Sequence, residues 1–182
     1  LWHEISHAFT LGYTDHRVPR WLSEGLAVLD ERHAREGWGS DVSPGFLAAF
    51  RDERLPSLER FNYGFVRPAY PGQVQHPYYM ASLLVEMIEE EHGIVAIRRM
   101  LDGYRDGLET PAVFESVFAE DLGAFDDRLK TYISTRFGPA IEALAEDEQG
   151  GGAYLAYLTA AAAHQSEGRP EEAIAALEQA RD

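Results

Sequence analysis

The residues best equipped for chemistry stand at the start of the chain, where His3-Glu4-Ile5-Ser6-His7 reads H-E-x-x-H. On an α-helix, positions i and i+4 share a face about 6 Å apart along the axis, so two imidazoles can reach one metal ion. Glu4 then stands beside that ion rather than on it, placed to exchange a proton with water. This composition yields the pattern by chance in roughly 3% of chains of this length, so a third ligand has to decide the matter. Glu24 is the candidate. It interrupts the apolar run Trp21-Leu22-Ser23-Glu24-Gly25-Leu26-Ala27-Val28-Leu29. An acid in such a setting is costly to bury unless it is paired or binds a metal.

Together the two stretches resemble the gluzincin metallopeptidases, the group of thermolysin and aminopeptidase N, and within it the peptidase MA-like domains whose second helix reads W-L-x-E-G-x-A. The resemblance implies a zinc ion held by His3, His7 and Glu24, with Glu4 as the catalytic base. The 16 residues between His7 and Glu24 form a slightly shorter connection than in the best-known members. Loop closure tolerates that difference at little cost. His76-Pro77-Tyr78-Tyr79-Met80-Ala81-Ser82 resembles a later helix of the family, from which a tyrosine donates its hydroxyl to the oxyanion of the tetrahedral intermediate. The offset from Ser82 selects Tyr79 for that role, with Tyr78 as the other choice.

Three protein ligands leave zinc one position for water and lower that water's pKa to about 7. Asp15 and Asp30 are the sequence neighbours available to hold the outer nitrogens of the histidines. The implied activity is hydrolysis of peptide bonds in a peptide or protein substrate, and the implied compartment is extracytoplasmic or periplasmic. The rival reading is a noncatalytic scaffold that keeps the metallopeptidase fold and binds protein partners. Because the chain begins at Leu1 without Met, on the zinc helix itself, the strands that precede this helix in the family, and any export signal, are expected upstream.

Positioning these residues takes helices, and the expected fold is all-α: the mostly helical C-terminal part of a zincin-type domain over residues 1–138, then a helical linker and hairpin over 139–182. Residues 1–11 and 20–36 carry the two motifs, with Gly12 as a helix stop and Asp15-His16-Arg17-Val18-Pro19 as a loop. Gly37 to Asp41, through Ser40, reads as a turn, and Ser43-Pro44 caps a short helix to about residue 51. Residues 53–76 hold Pro56, Gly64, Pro68, Pro71 and Gly72 among aromatics, an irregular segment suited to wall a cleft. A helix over 77–91 stops at Gly93. Further helices are expected over 94–103, from Thr110-Pro111, and over 123–137, where Phe125, Leu129, Tyr132 and Ile133 form one stripe. Gly138-Pro139 marks the end of that helix.

A second shift in composition comes at Gly150-Gly151-Gly152. Residues 154–180 read as two alanine-rich helices split by Gly168-Arg169-Pro170, with Ala173, Leu177 and Ala180 spaced as in the second helix of a tetratricopeptide repeat. The stretch resembles one such repeat, which implies a protein partner; a generic helical hairpin accounts for it equally well.

Charge and composition exclude several classes. A formal net charge of −15 and a pI near 4.8 argue against nucleic acid or an anionic membrane as the main partner. With no cysteine, there are no disulfides and no thiolate ligands. No run reaches the roughly 18 apolar residues of a membrane span. His16, His33, His76, His92 and His164 stand outside any motif and read as ordinary surface or core residues.

Overall fold

The computed structural model describes residues 1–35, 37–39, 42–65, 75–149 and 152–181, and every regular element among them is helical. In chain order the helices are α1 (Trp2–Tyr13), α2 (Arg20–Ala34), α3 (Pro44–Arg51), α4 (Phe61–Gly64), α5 (Gln75–Arg105), α6 (Thr110–Phe118), α7 (Leu122–Gln149), α8 (Ala153–Ser166) and α9 (Pro170–Arg181), with a 3-10 turn at Leu58–Arg60. Pro68, Pro71 and Gly72 of the expected cleft wall lie outside the described residues, as do Ser40, Asp41, Gly150 and Gly151. The chain forms two compact units: Leu1–Val42 with Glu53–Arg136, and Ser43–Asp52 with Phe137–Asp182.

In the first unit α2 is the central helix, and α1, α4 and α5 pack against it. All of residues 21–29 are buried, which explains why the run is apolar nearly all round rather than striped. Trp21 anchors its start. The indole stacks on Phe61 at 6.0 Å and lies 6.1 Å from Phe114, which meets Phe125 edge-on at 4.8 Å. The Trp21 N–H, one of the donors a helix start leaves unpaired, is taken by Asn62 Oδ1 at 3.3 Å.

The crossing of α2 and α5 depends on Gly25. A Cβ there would lie 2.6 Å from the Ala81 carbonyl oxygen and 2.9 Å from Val85 Cγ2, so only glycine lets the backbones approach this closely. On the α5 side, Met80, Ala81, Ser82, Leu83, Leu84, Val85, Met87 and Ile88 are all buried. Gly93, at φ 73° and ψ 170°, breaks α5 into segments 75–92 and 94–105, as its place in the sequence predicts.

Two expected helix ends move. Gly12 does not stop α1, which runs on to Tyr13; the reversal is made by Asp15 and His16 at φ 55° and 60°. Both residue types tolerate the left-handed region better than most, so no glycine is needed. Gly138-Pro139 does not end α7 either, and Pro139 lies inside the helix. One hydrogen bond is lost there, and the strong helix formers Ala140, Glu142, Ala143 and Leu144 carry the helix onward. The division between the two units falls within this same helix.

In the second unit Ser43 caps α3 as expected, its Oγ accepting from the Phe46 N–H at 3.1 Å. Helices α8 and α9 pack as a hairpin that turns at Gly168, φ 72°. Among the described residues of the pair Ala161, Ala173 and Ala176 are buried, whereas Leu177 stays 49% exposed. The inward stripe of α9 therefore runs through Ala176 rather than the expected Leu177. Among the described residues no helix is long and apolar enough to cross a membrane.

Candidate metal centre

The α1 face turned toward α2 is its polar one. Ser6 and Thr10 are its buried residues, and His3 and His7 lie half-buried beside them. From α2, Glu24 meets the two rings: its Oε2 lies 3.3 Å from His3 Nε2 and 3.3 Å from His7 Nε2. The three donor atoms all fall within 4.8 Å of one another, and the rings stand edge to face with centroids 4.7 Å apart. Donors about 2.05 Å from a tetrahedral ion sit about 3.3 Å from each other, so the spacing suits zinc. Among the described residues no other group of three or more such side chains gathers in this way.

Each ring has a hydrogen-bond partner on its far side. Thr10 donates its hydroxyl hydrogen to the Ser6 carbonyl at 3.0 Å and lies 3.2 Å from Ser23 Oγ. Ser23 Oγ in turn lies 2.8 Å from His7 Nδ1. A neutral ring that donates from Nδ1 to Ser23 turns its Nε2 lone pair toward Glu24. His3 follows the same logic, because its Nδ1 faces the Glu31 carboxylate at 3.4 Å, an acceptor only. Two ring nitrogens and a carboxylate oxygen thus converge, and with both rings neutral and donating outward the three atoms form an acceptor set that fits a cation.

The other oxygen of Glu24 is held from outside. Arg20 Nε donates to Glu24 Oε1 at 3.2 Å, and the same guanidinium donates through a terminal nitrogen to the Tyr78 hydroxyl at 3.0 Å. The hydrogen bond to Tyr78 raises the Arg20 pKa above its ordinary value, and Glu24 adds to the effect. Phe65 lies beneath the guanidinium at 5.9 Å and packs edge-on to Tyr78 at 5.0 Å. Glu4, next to His3 in the chain, is exposed and makes no ion pair or side-chain hydrogen bond among the described residues.

His3, His7 and Glu24 are therefore brought together as the sequence predicts, and other expectations shift. Tyr79 is buried in the core with 5% exposure, and the hydroxyl joined to the Glu24 network belongs to Tyr78. Asp15 occupies the left-handed turn and Asp30 lines an apolar groove, so neither backs a histidine. Glu31 and Ser23 do that instead. Glu31 stands seven residues after Glu24, two turns along the same face, and Ser23 directly precedes Glu24. That helical spacing is the signal by which Glu31 could have been found.

The apolar groove, about 540 Å³, is lined by Trp2, Ile5 and Phe9 of α1, Leu26 of α2, and Ile94 and Ile97 of α5. Compared with family models, curated proteins and solved structures, the chain matches none of them.

Proposed function

We propose that the protein is a zinc-dependent peptidase whose metal is held by His3, His7 and Glu24. The observation that carries this reading is the convergence of two imidazole Nε2 atoms on one carboxylate oxygen at 3.3 Å, each imidazole held by a side-chain partner at its Nδ1. A divalent ion held there supplies Lewis acidity toward a carbonyl and acidifies water at neutral pH. Three protein ligands leave such an ion open to substrate, which separates a catalytic from a closed structural site.

The chain's own groups take the remaining tasks. Glu4 carries a solvent-facing carboxylate on the same turn as His3 and takes the proton from the attacking water, then returns it to the leaving amine. Tyr78, whose oxygen already accepts from Arg20, keeps its hydroxyl hydrogen for the oxygen of the scissile carbonyl. Ser23 and Glu31 hold the imidazoles in orientation.

Metal analysis after equilibration with zinc tests the centre. About one ion per chain is expected, lost in His3→Ala or Glu24→Ala, and absence of bound metal at saturating zinc rejects the reading. Catalysis is tested separately with Glu4→Gln. That variant is expected to keep its zinc and lose about 10²- to 10⁴-fold in peptide hydrolysis. Parent-like turnover in Glu4→Gln removes Glu4 from the mechanism.

A further inference from the structure

Arg20 occupies a place that the metal ligands alone do not explain. It is the first residue of α2, follows the extended Pro19, and lies one turn before Glu24. Its side chain is 51% exposed, yet three partners fix it: the Glu24 carboxylate, the Tyr78 hydroxyl and the face of Phe65. Nε and a terminal nitrogen act at once on two different groups, at a separation and in a plane that the rigid guanidinium fixes. Glu24 is split by this arrangement. Oε1 belongs to Arg20, and Oε2 alone faces His3 and His7.

We infer that Arg20 is a positioning residue that restricts Glu24 to one ligand oxygen and sets Tyr78 at a fixed distance from that carboxylate. The inference rests on the metal reading above. A free carboxylate can grip a cation with both oxygens; one whose second oxygen accepts from Nε offers only the first. The consequence is an open coordination position kept for substrate. Holding Tyr78 through the same guanidinium ties the carbonyl-binding hydroxyl to the ligand shell, so the two move as one unit.

The test uses zinc and cobalt as probes on the full chain. Arg20→Ala is expected to weaken zinc about 10- to 100-fold in competition with a chelator. In the cobalt-loaded protein it is expected to lower the visible absorption, the mark of added coordination as Glu24 turns to bind through both oxygens. Arg20→Lys keeps the charge without the fork, and about tenfold weakening is expected to remain. Far-UV circular dichroism, expected to match the parent in both variants, separates loss of the site from loss of the fold, and Arg20→Lys decides if Arg20→Ala does not fold. Parent-like affinity and an unchanged cobalt spectrum in Arg20→Ala overturn the positioning role while leaving the metal reading intact. Full recovery in Arg20→Lys reduces Arg20 to a simple charge and overturns it too. A parent protein that binds neither ion overturns both.

Discussion

Ser23 is not a ligand in the proposed site, yet its hydroxyl, 2.8 Å from His7 Nδ1 and 3.2 Å from Thr10 Oγ1, is placed to set how the His7 ring is turned. Ser23→Ala removes that hydroxyl and frees the ring to turn over. Zinc affinity is expected to fall about tenfold or more by chelator competition, and an unchanged affinity would show that the Ser23 contact does not orient His7. At Tyr78 and Tyr79 the comparison is one of chemistry. Tyr78→Phe is expected to lower kcat for peptide hydrolysis about 10²-fold with zinc retained, whereas Tyr79→Phe leaves kcat near the parent value. A loss in Tyr79→Phe with Tyr78→Phe near the parent value would return the oxyanion role to Tyr79. The candidate ligands His3 and His7 were legible in the sequence because their spacing lies within one helix. The choice between Tyr78 and Tyr79 was not, since one residue rotates a side chain about 100° around the axis. Nor were Ser23, Glu31 and Arg20, whose roles depend on how α1, α2 and α5 lie against one another.

Two glycines in the helices perform different tasks, and substitution by alanine separates them. At Gly25 the backbone is ordinary helix and the obstacle is space, with a carbonyl oxygen 2.6 Å from where a Cβ would stand. Gly25→Ala must push α2 away from α5, at a cost of about 1–3 kcal/mol in urea unfolding of the metal-free protein. Since Glu24 is the neighbouring residue, zinc binding should weaken in the same variant. At Gly93 nothing lies within 4 Å of an added Cβ, and the obstacle is the φ of 73°. Gly93→Ala is therefore expected to cost about 1–3 kcal/mol while zinc affinity stays at the parent value. Zinc loss in Gly93→Ala would show that the two segments of α5 are coupled to the site. Gly93 could be read as a helix break because the left-handed region needs glycine most often. Gly12 and Pro139 misled for the complementary reason: Asp15 and His16 can make the turn, and one missing N–H does not overcome the helix formers that follow Pro139.

At the scale of the whole molecule, an excess of acid sets how stability responds to pH, with one histidine working against it. Lowering the pH from 7.5 to 5.5 reduces the self-repulsion of a chain carrying a formal charge of −15, which favours the compact state. His76 opposes this. It is buried in the first turn of α5, and desolvation, with a smaller contribution from Arg54, pushes its pKa below the ordinary 6.5. The folded state therefore prefers the neutral ring. The stability this confers is fully present above about 6.5 and is lost as the pH falls from there through the depressed folded value. Unfolding free energies of the parent and His76→Gln, measured across that range with a chelator present to silence the metal site, isolate the contribution. The charge effect is common to both proteins and cancels in the difference. The packing or hydrogen bonding that glutamine fails to replace appears as a constant offset. What remains is a gap that closes or reverses toward acid pH, as the parent alone bears the cost of protonating a buried imidazole; curves that stay parallel from pH 7.5 to 5.5 would remove His76 from the pH response.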